Sequence, residues 1–183
     1  MVERAARVDG YLVCGGDFHD FDYARRELLD HLGEHDQIRM TVAPDYTDTD
    51  AIAASDFLLT YTCNVRPSAV QQEALAAFVQ GGGHWFALHG TNAALDLSAK
   101  GVASPRVFPK LAAVLGSQFI AHPVPIEPYA VSVVDPDHWF TVGVDGFTAT
   151  DELYLSEYHD RDALVPLLET RWTGTAMGFE VGD

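Results

Sequence analysis

The stretch Gly81-Gly-Gly-His-Trp-Phe-Ala-Leu-His89-Gly90 puts a histidine where a short apolar run meets a glycine turn. In many α/β enzymes a strand of this kind ends in a sharp turn that presents a Ser or Cys nucleophile. An imidazole there cannot replace a thiolate as an acyl carrier. It can act as a general acid or base near neutral pH, or bind a metal ion through one nitrogen. The competing reading is a satisfied core histidine, the commoner fate of a lone histidine in an apolar stretch. Two further histidines draw notice. His19 follows an earlier apolar run in Cys14-Gly-Gly-Asp-Phe-His-Asp20, and His122 precedes Pro123, which keeps it extended because a residue before proline avoids the helical region. For His122, packing on Phe119 is as good an account as a site role.

The elements that would position these groups come from hydrophobic patterning. Tyr11–Cys14, Ile38–Val42, Phe57–Tyr61 and His84–Leu88 read as strands, the first closed by Gly15-Gly16. Between the first two, Asp20 or Asp22 can cap a helix whose apolar face is Leu28, Leu29 and Leu32, with Gly33 at its stop. Thr49–Ser55 reads as a short helix. Ser68 and Gln71 have the spacing of a capping box for a helix with Val70, Ala74, Ala77 and Phe78 on one face. Gly81-Gly82-Gly83 ends that helix; it precedes a strand instead of following one, so it is not a phosphate loop. Alternating strands and helices at this spacing imply right-handed βαβ units and a parallel sheet covered on both faces. Phe108–Leu115 reads as a short helix ended by Gly116, and Tyr129–Val134 as an edge or side-hairpin strand. Leu164–Thr170 and Thr175–Val181 carry weaker strand patterns. His31 and His35 are expected in solvent, His84 and His138 in structural places.

Ligands of open α/β sheets gather beyond the carboxyl ends of the strands. That rule selects Gly15–Asp20, Thr62-Cys63-Asn64 and His89-Gly90-Thr91-Asn92, one polar rim. With 11 Lys plus Arg against 27 Asp plus Glu, the formal net charge is −16, which repels phosphate backbones and anionic membranes. A neutral or cationic ligand is favoured. No apolar run approaches the roughly 18 residues of a membrane span, and the N-terminus lacks a signal-peptide core, so the chain reads as cytoplasmic. Cys14 and Cys63 form no disulfide framework or metal pattern and read as small buried hydrophobes.

Four stretches in order resemble one family: Cys14–Asp20, Gly81–Gly90, Gly116-Ser-Gln-Phe-Ile-Ala-His122-Pro123 and Asp151-Glu-Leu-Tyr154. They are similar to the trehalose-utilisation, or ThuA-like, family, over most of the chain from about residue 10 to 159. The resemblance implies a flavodoxin-like three-layer α/β sandwich, like that of the class I glutamine amidotransferases, with a mainly parallel sheet. Five or more parallel strands are expected, in an order beginning 2-1-3-4. His89 would then occupy the turn where those enzymes carry a nucleophilic cysteine, so glutamine hydrolysis is not expected. Relatives occur with sugar oxidoreductases, which implies a sugar-directed enzyme acting on a disaccharide or keto-glycoside.

On that reading His89, His19, His122 and Glu152 supply acid–base chemistry. Asp151 and Glu152 alone would be taken as capping and charging a short helix; the family pattern makes Glu152 a pocket carboxylate. Asp20, Asn64, Asp151, Tyr154 and His159 are the expected substrate contacts, with Tyr154, Tyr158 and His159 as walls of a sugar site, although surface or core packing suits those three equally. Three imidazoles and a carboxylate also suit Zn²⁺ or another divalent ion. A non-catalytic sugar-binding or regulatory module on the same fold is the alternative. Carbohydrate is the expected partner, nucleic acid and membrane are not, and a homo-oligomer stays open. Such relatives usually run on to a last strand, whereas this chain stops at Phe179-Glu-Val-Gly-Asp183. One domain over 1–183 is expected, short of a C-terminal strand either by truncation or by absence.

Overall fold

Strand β1 (Val8–Gly16) is apolar on both faces from Tyr11 to Cys14, and all four side chains are buried. Such a strand needs a layer on each side. Alternation sends Tyr11 and Val13 into a cluster with Ile52, Leu58, Leu75 and Phe108, and Leu12 and Cys14 into one with Phe21, Leu59, Cys63 and Phe119. The computed structural model describes residues 6–99, 101–173 and 179–181.

Four strands form the central sheet: β1, β2 (Ile38–Ala43), β3 (Phe57–Cys63) and β4 (His84–Ala87), all parallel, in the order β2-β1-β3-β4. The order is the one expected; the strand number is one short of it among the described residues. Because β4 is an edge, Phe86 is 55% exposed there, and the sheet is not covered on both faces throughout.

Helix α1 (Phe21–Gly33) starts at Asp20, whose carboxylate accepts the Tyr23 amide at 2.9 Å, and lays Leu28, Leu29 and Leu32 on the second cluster. Helix α2 (Thr49–Ala53) is capped by Asp48. Helix α3 (Ala69–Gln80) carries the expected capping box between Ser68 and Gln71. Its buried stripe is Gln72, Leu75 and Phe78, while Val70 is 76% exposed. Of the expected face Val70, Ala74, Ala77 and Phe78, only Phe78 is buried, so the apolar period is phased differently. Gln72 can be buried because its amide donates to the Pro67 carbonyl and its oxygen accepts the Lys110 amide.

The second half is built from short strands. β5 (Asp96–Ser98) and β6 (Gly101–Ser104) form an antiparallel hairpin, and β12 (Phe179–Val181) adds parallel to β6. Of the weak 175–181 pattern, residues 175–178 lie outside the described residues. Helix α4 (Pro109–Leu115) ends at Gly116, which takes the left-handed conformation at φ 75°. β7 (Ser117–Ala121) pairs antiparallel with β10 (Leu155–Tyr158). β8 (Pro128–Val133), expected at an edge or in a hairpin, lies between β9 (Phe147–Thr150) and β11 (Leu168–Glu169). No helix of the described residues is long and apolar enough to cross a membrane.

Candidate functional site

Two glycine turns bring His19 and His89 together. After β1, Gly16 adopts φ +122°, and a Cβ there would lie 1.9 Å from the Cys63 carbonyl oxygen. Only glycine lets this loop close on β3. The Asp17 amide then donates to that carbonyl at 3.0 Å, and two residues on, His19 rests against Tyr61 of β3, ring centroids 5.7 Å apart. After β4, the Leu88 amide bonds the Thr60 carbonyl and the Thr91 amide bonds Leu88. Thr60 Oγ1 also accepts from the Trp85 indole and pairs with the Thr91 hydroxyl, which pins the turn carrying His89.

Gly90 in that turn has φ +89°, and a Cβ would approach the Thr62 carbonyl oxygen to 2.6 Å. Gly90→Ala is expected to cost about 1–3 kcal/mol through the strained conformation and the clash with backbone. Chemical denaturation of the two proteins checks this; an unchanged midpoint would contradict the turn geometry.

His122 and Glu152 come from the β7/β10 pair. Ala121 is registered opposite Leu155, so the residue leaving β7 and the residues entering β10 meet at one end of the ribbon. Asp151 and Glu152 therefore lead into a strand and cap no helix. Glu152 lies between two imidazoles: Oε2 is 3.4 Å from His89 Nε2, and Oε1 is 3.4 Å from His122 Nε2. His122 Nδ1 is 3.0 Å from the Pro123 carbonyl oxygen, so that nitrogen is the donor and Nε2 is left for the carboxylate side. His122 also packs on Phe119, at 6.3 Å between centroids, so both of its readings describe real contacts. His19 meets His89 edge to face at 5.2 Å, and Tyr154 packs on His89 at 4.0 Å and on Phe119 at 4.3 Å.

These groups surround a cavity of about 180 Å³ whose wall includes Phe18, His19, Cys63, His122, Glu152 and Tyr154. His89 is not on that wall. It stands beside it, packed on His19 and Tyr154, with its side chain 31% exposed. The remaining sequence candidates fall elsewhere. Asp20 is engaged as the α1 cap. Asn64, at φ 61°, donates to Asp17 and accepts from Arg66 and the Leu95 amide, so it braces the loops beneath the rim. Asp151 is exposed, and its carboxylate accepts the Glu152 amide at 2.8 Å. His159 follows the far end of β10, where Tyr158 is registered with Ser117 and the His159 amide bonds Gly116, so the ribbon carries it away from His122. Tyr158, at that same end, is half exposed.

The strand-end rule covers Phe18 without giving it a role, and the sequence does not reveal Tyr61 as a site residue or the β5–β6 hairpin, whose Leu97 and Val102 complete the cavity wall. The hairpin strands are too short to leave an apolar pattern. Tyr61 was visible only as a strand residue, although the rule that chose Asn64 points to its neighbourhood.

Burial, reinforced by the neighbouring His89 charge, holds the His19 imidazole below its ordinary value of 6.5, against the opposing pull of Glu152 and Asp151. Nε2 of His19 is buried with no hydrogen-bond partner among the described residues. His19 is thus kept neutral and able to accept a proton. Since the unfolded chain holds the proton more tightly, the stability this group contributes is complete above about pH 6.5 and is lost as pH falls through the folded value. Titration of the His19 ring by NMR should give a midpoint below 6.5 that rises in His89→Ala and falls further in Glu152→Gln. Movement in the opposite senses would contradict the charge arrangement.

Burial pushes the Cys63 thiol up to about 12, helped by Glu152 and Asp17, so the cysteine on the wall is not a nucleophile. Burial likewise raises the Tyr154 phenol, which stays protonated. Donor atoms of His19, His89 and Glu152 all lie within 4.8 Å of one another. Ligand atoms of a tetrahedral zinc ion stand roughly 3.4 Å apart, so these three would have to draw together by about an ångström to hold a divalent ion.

A parallel β2-β1-β3-β4 sheet flanked by helices, with its polar rim after β1, β3 and β4, defines a glutamine amidotransferase-like α/β fold in which the residue at the turn after β4 is His89. Residues 12–180 match the trehalose-utilisation (ThuA) family, and the chain belongs to it. A structure named as a ThuA-like protein from Bacteroides uniformis ATCC 8492 superposes with a TM-score of 0.72 at 16% identity, over 93% of this chain and 71% of that one. A structure named as a GMP synthase component from Thermoplasma acidophilum gives 0.55 at 11% identity over 97% and 77%. Another named as ThuA-like, from Parabacteroides merdae ATCC 43184, gives 0.54 at 11% over 90% and 68%. At these identities the likeness is one of fold. No curated protein matches the chain.

Proposed function

We propose that the protein is a cytoplasmic enzyme of carbohydrate catabolism that acts on a disaccharide or keto-glycoside by histidine–carboxylate acid–base chemistry. The observation that carries this reading is Glu152 spanning His89 and His122 at 3.4 Å each, beside a His19 held neutral. Membership of a family named for trehalose utilisation supplies the sugar. His89 exchanges a proton with the substrate, Glu152 orients that ring and His122, and neutral His19 takes up the proton released. Such chemistry suits enolisation beside a sugar ketone or protonation of a departing glycosidic oxygen. The charge of −16 fits a neutral substrate and disfavours nucleic acid and anionic membranes.

The second reading places a divalent ion on His19, His89 and Glu152, favoured by the closeness of their donor atoms. Bound there, the ion would polarise a substrate oxygen or lower the pKa of a bound water. Tyr154 and Phe119 would keep the site partly dry, and His122 would hold the second carboxylate oxygen.

Turnover of keto-disaccharides and of their unoxidised parents, each with and without a chelator, tests both readings. Chelator-insensitive turnover is expected. Activity lost to the chelator and restored by zinc would give the role to the ion, and binding without turnover would leave a sugar-binding module.

A further inference from the structure

Behind the segment that carries His122 and Glu152 lies a second, larger cavity of about 270 Å³, formed by residues 123–129 with Asp151, Leu153, Trp172 and Thr173. We propose that it is a subsite for one neutral pyranose ring, a proposal that rests on the sugar-directed reading above and extends it to a second binding position.

Position is the first argument. Asp151 and Leu153 line this cavity while Glu152 and Tyr154 line the imidazole pocket, so one length of chain alternates between the two and forms their common wall. His122 faces the inner pocket, and its Nδ1 is held at 3.0 Å by the carbonyl of Pro123, which lines the outer cavity. A ligand resting on Pro123 thus bears on the carbonyl that orients His122.

The lining is the second. Trp172 and Tyr129 offer aromatic faces for the C–H face of a sugar ring. Asp151 and Glu127 offer carboxylate oxygens that accept from hydroxyls, and Thr173 offers a hydroxyl. Among the described residues no Lys, Arg or His lines the cavity, so a sugar phosphate or uronate would meet only like charge. Pro123, Pro125 and Pro128 fix three backbone torsions of the wall, which lowers the cost of ordering it around a ligand. A volume just below the ~300 Å³ at which drug-sized pockets begin suits one ring better than two.

Titration with methyl α-glucopyranoside and with glucuronate, followed by tryptophan fluorescence and ligand-observed NMR, tests this in the wild type, Trp172→Ala, Trp172→Phe, Asp151→Asn and His89→Ala. The neutral glycoside should bind saturably, at least about tenfold tighter than glucuronate. Trp172→Ala should weaken it about two- to tenfold and Trp172→Phe much less, the loss expected for one aromatic contact. His89→Ala should leave it unchanged. Failure of the wild type to bind, equal binding of glucuronate, or indifference to both Trp172→Ala and Asp151→Asn overturns the subsite. The two readings fail separately. Trp172-dependent binding without any turnover sinks the enzyme and keeps the subsite, whereas turnover with KM unchanged in Trp172→Ala does the reverse.

Discussion

His89→Ala is expected to lower turnover of a keto-disaccharide by about 10²- to 10⁴-fold in a protein that remains folded, the loss that follows removal of a positioned proton-transfer group. The imidazole sits at the end of β4 with 31% of its side chain exposed, and the turn is held by Thr60, Thr91 and Gly90, not by the ring. Truncation therefore opens no core cavity. The melting temperature should change by no more than about 2–4 °C, which is what 1 kcal/mol amounts to in a domain of this size. Calorimetry and single-turnover rates on the same preparations check both halves. A folded variant with unchanged turnover would move the proton transfer to His19 or His122.

Glu152→Gln should reduce kcat by about 10- to 100-fold, the usual cost of losing the partner that orients a functional imidazole. Glutamine keeps the side-chain shape but replaces one carboxylate oxygen with an NH₂ donor. The carboxamide can still pair with ring nitrogens on both sides, accepting from one and donating to the other, so what His89 and His122 both lose is the negative charge 3.4 Å away. Loss in kcat with KM nearly constant would mark an orienting group; a change confined to KM would instead make Glu152 a substrate contact.

The first half of the fold is legible because its elements announce themselves locally. Tyr11–Cys14 and Phe57–Cys63 are continuous apolar runs, and Asp20, Ser68 and Gln71 make the capping bonds their positions suggest. The strand-end rule then finds His19 and His89 without reference to any relative. Glu152 is different. Its meeting with His122 depends on Ala121 facing Leu155 across 34 residues of sequence, and four-residue β10 carries no pattern that distinguishes it from a short helix. Only the family resemblance pointed to Glu152. The same blindness to short pairings hid the β5–β6 hairpin, and with it the wall made by Leu97 and Val102. The strand-end rule selects Asn64, and His159 enters only as a neighbour of Tyr154 and Tyr158 in the segment after Glu152. Asn64 is drawn into loop bonds by its left-handed backbone, and His159 is carried away by the direction of β10.

The central claim is that His89 and Glu152, from distant segments, act as one acid–base unit. A double-mutant cycle on turnover tests it most directly, with His89→Ala, Glu152→Gln and the double variant measured against a keto-disaccharide and each confirmed folded by calorimetry. Residues that act together are not additive, so the double variant should lose about as much as His89→Ala alone. Losses that multiply, with the double variant about 10- to 100-fold below His89→Ala, would show that the two groups work independently and contradict the account.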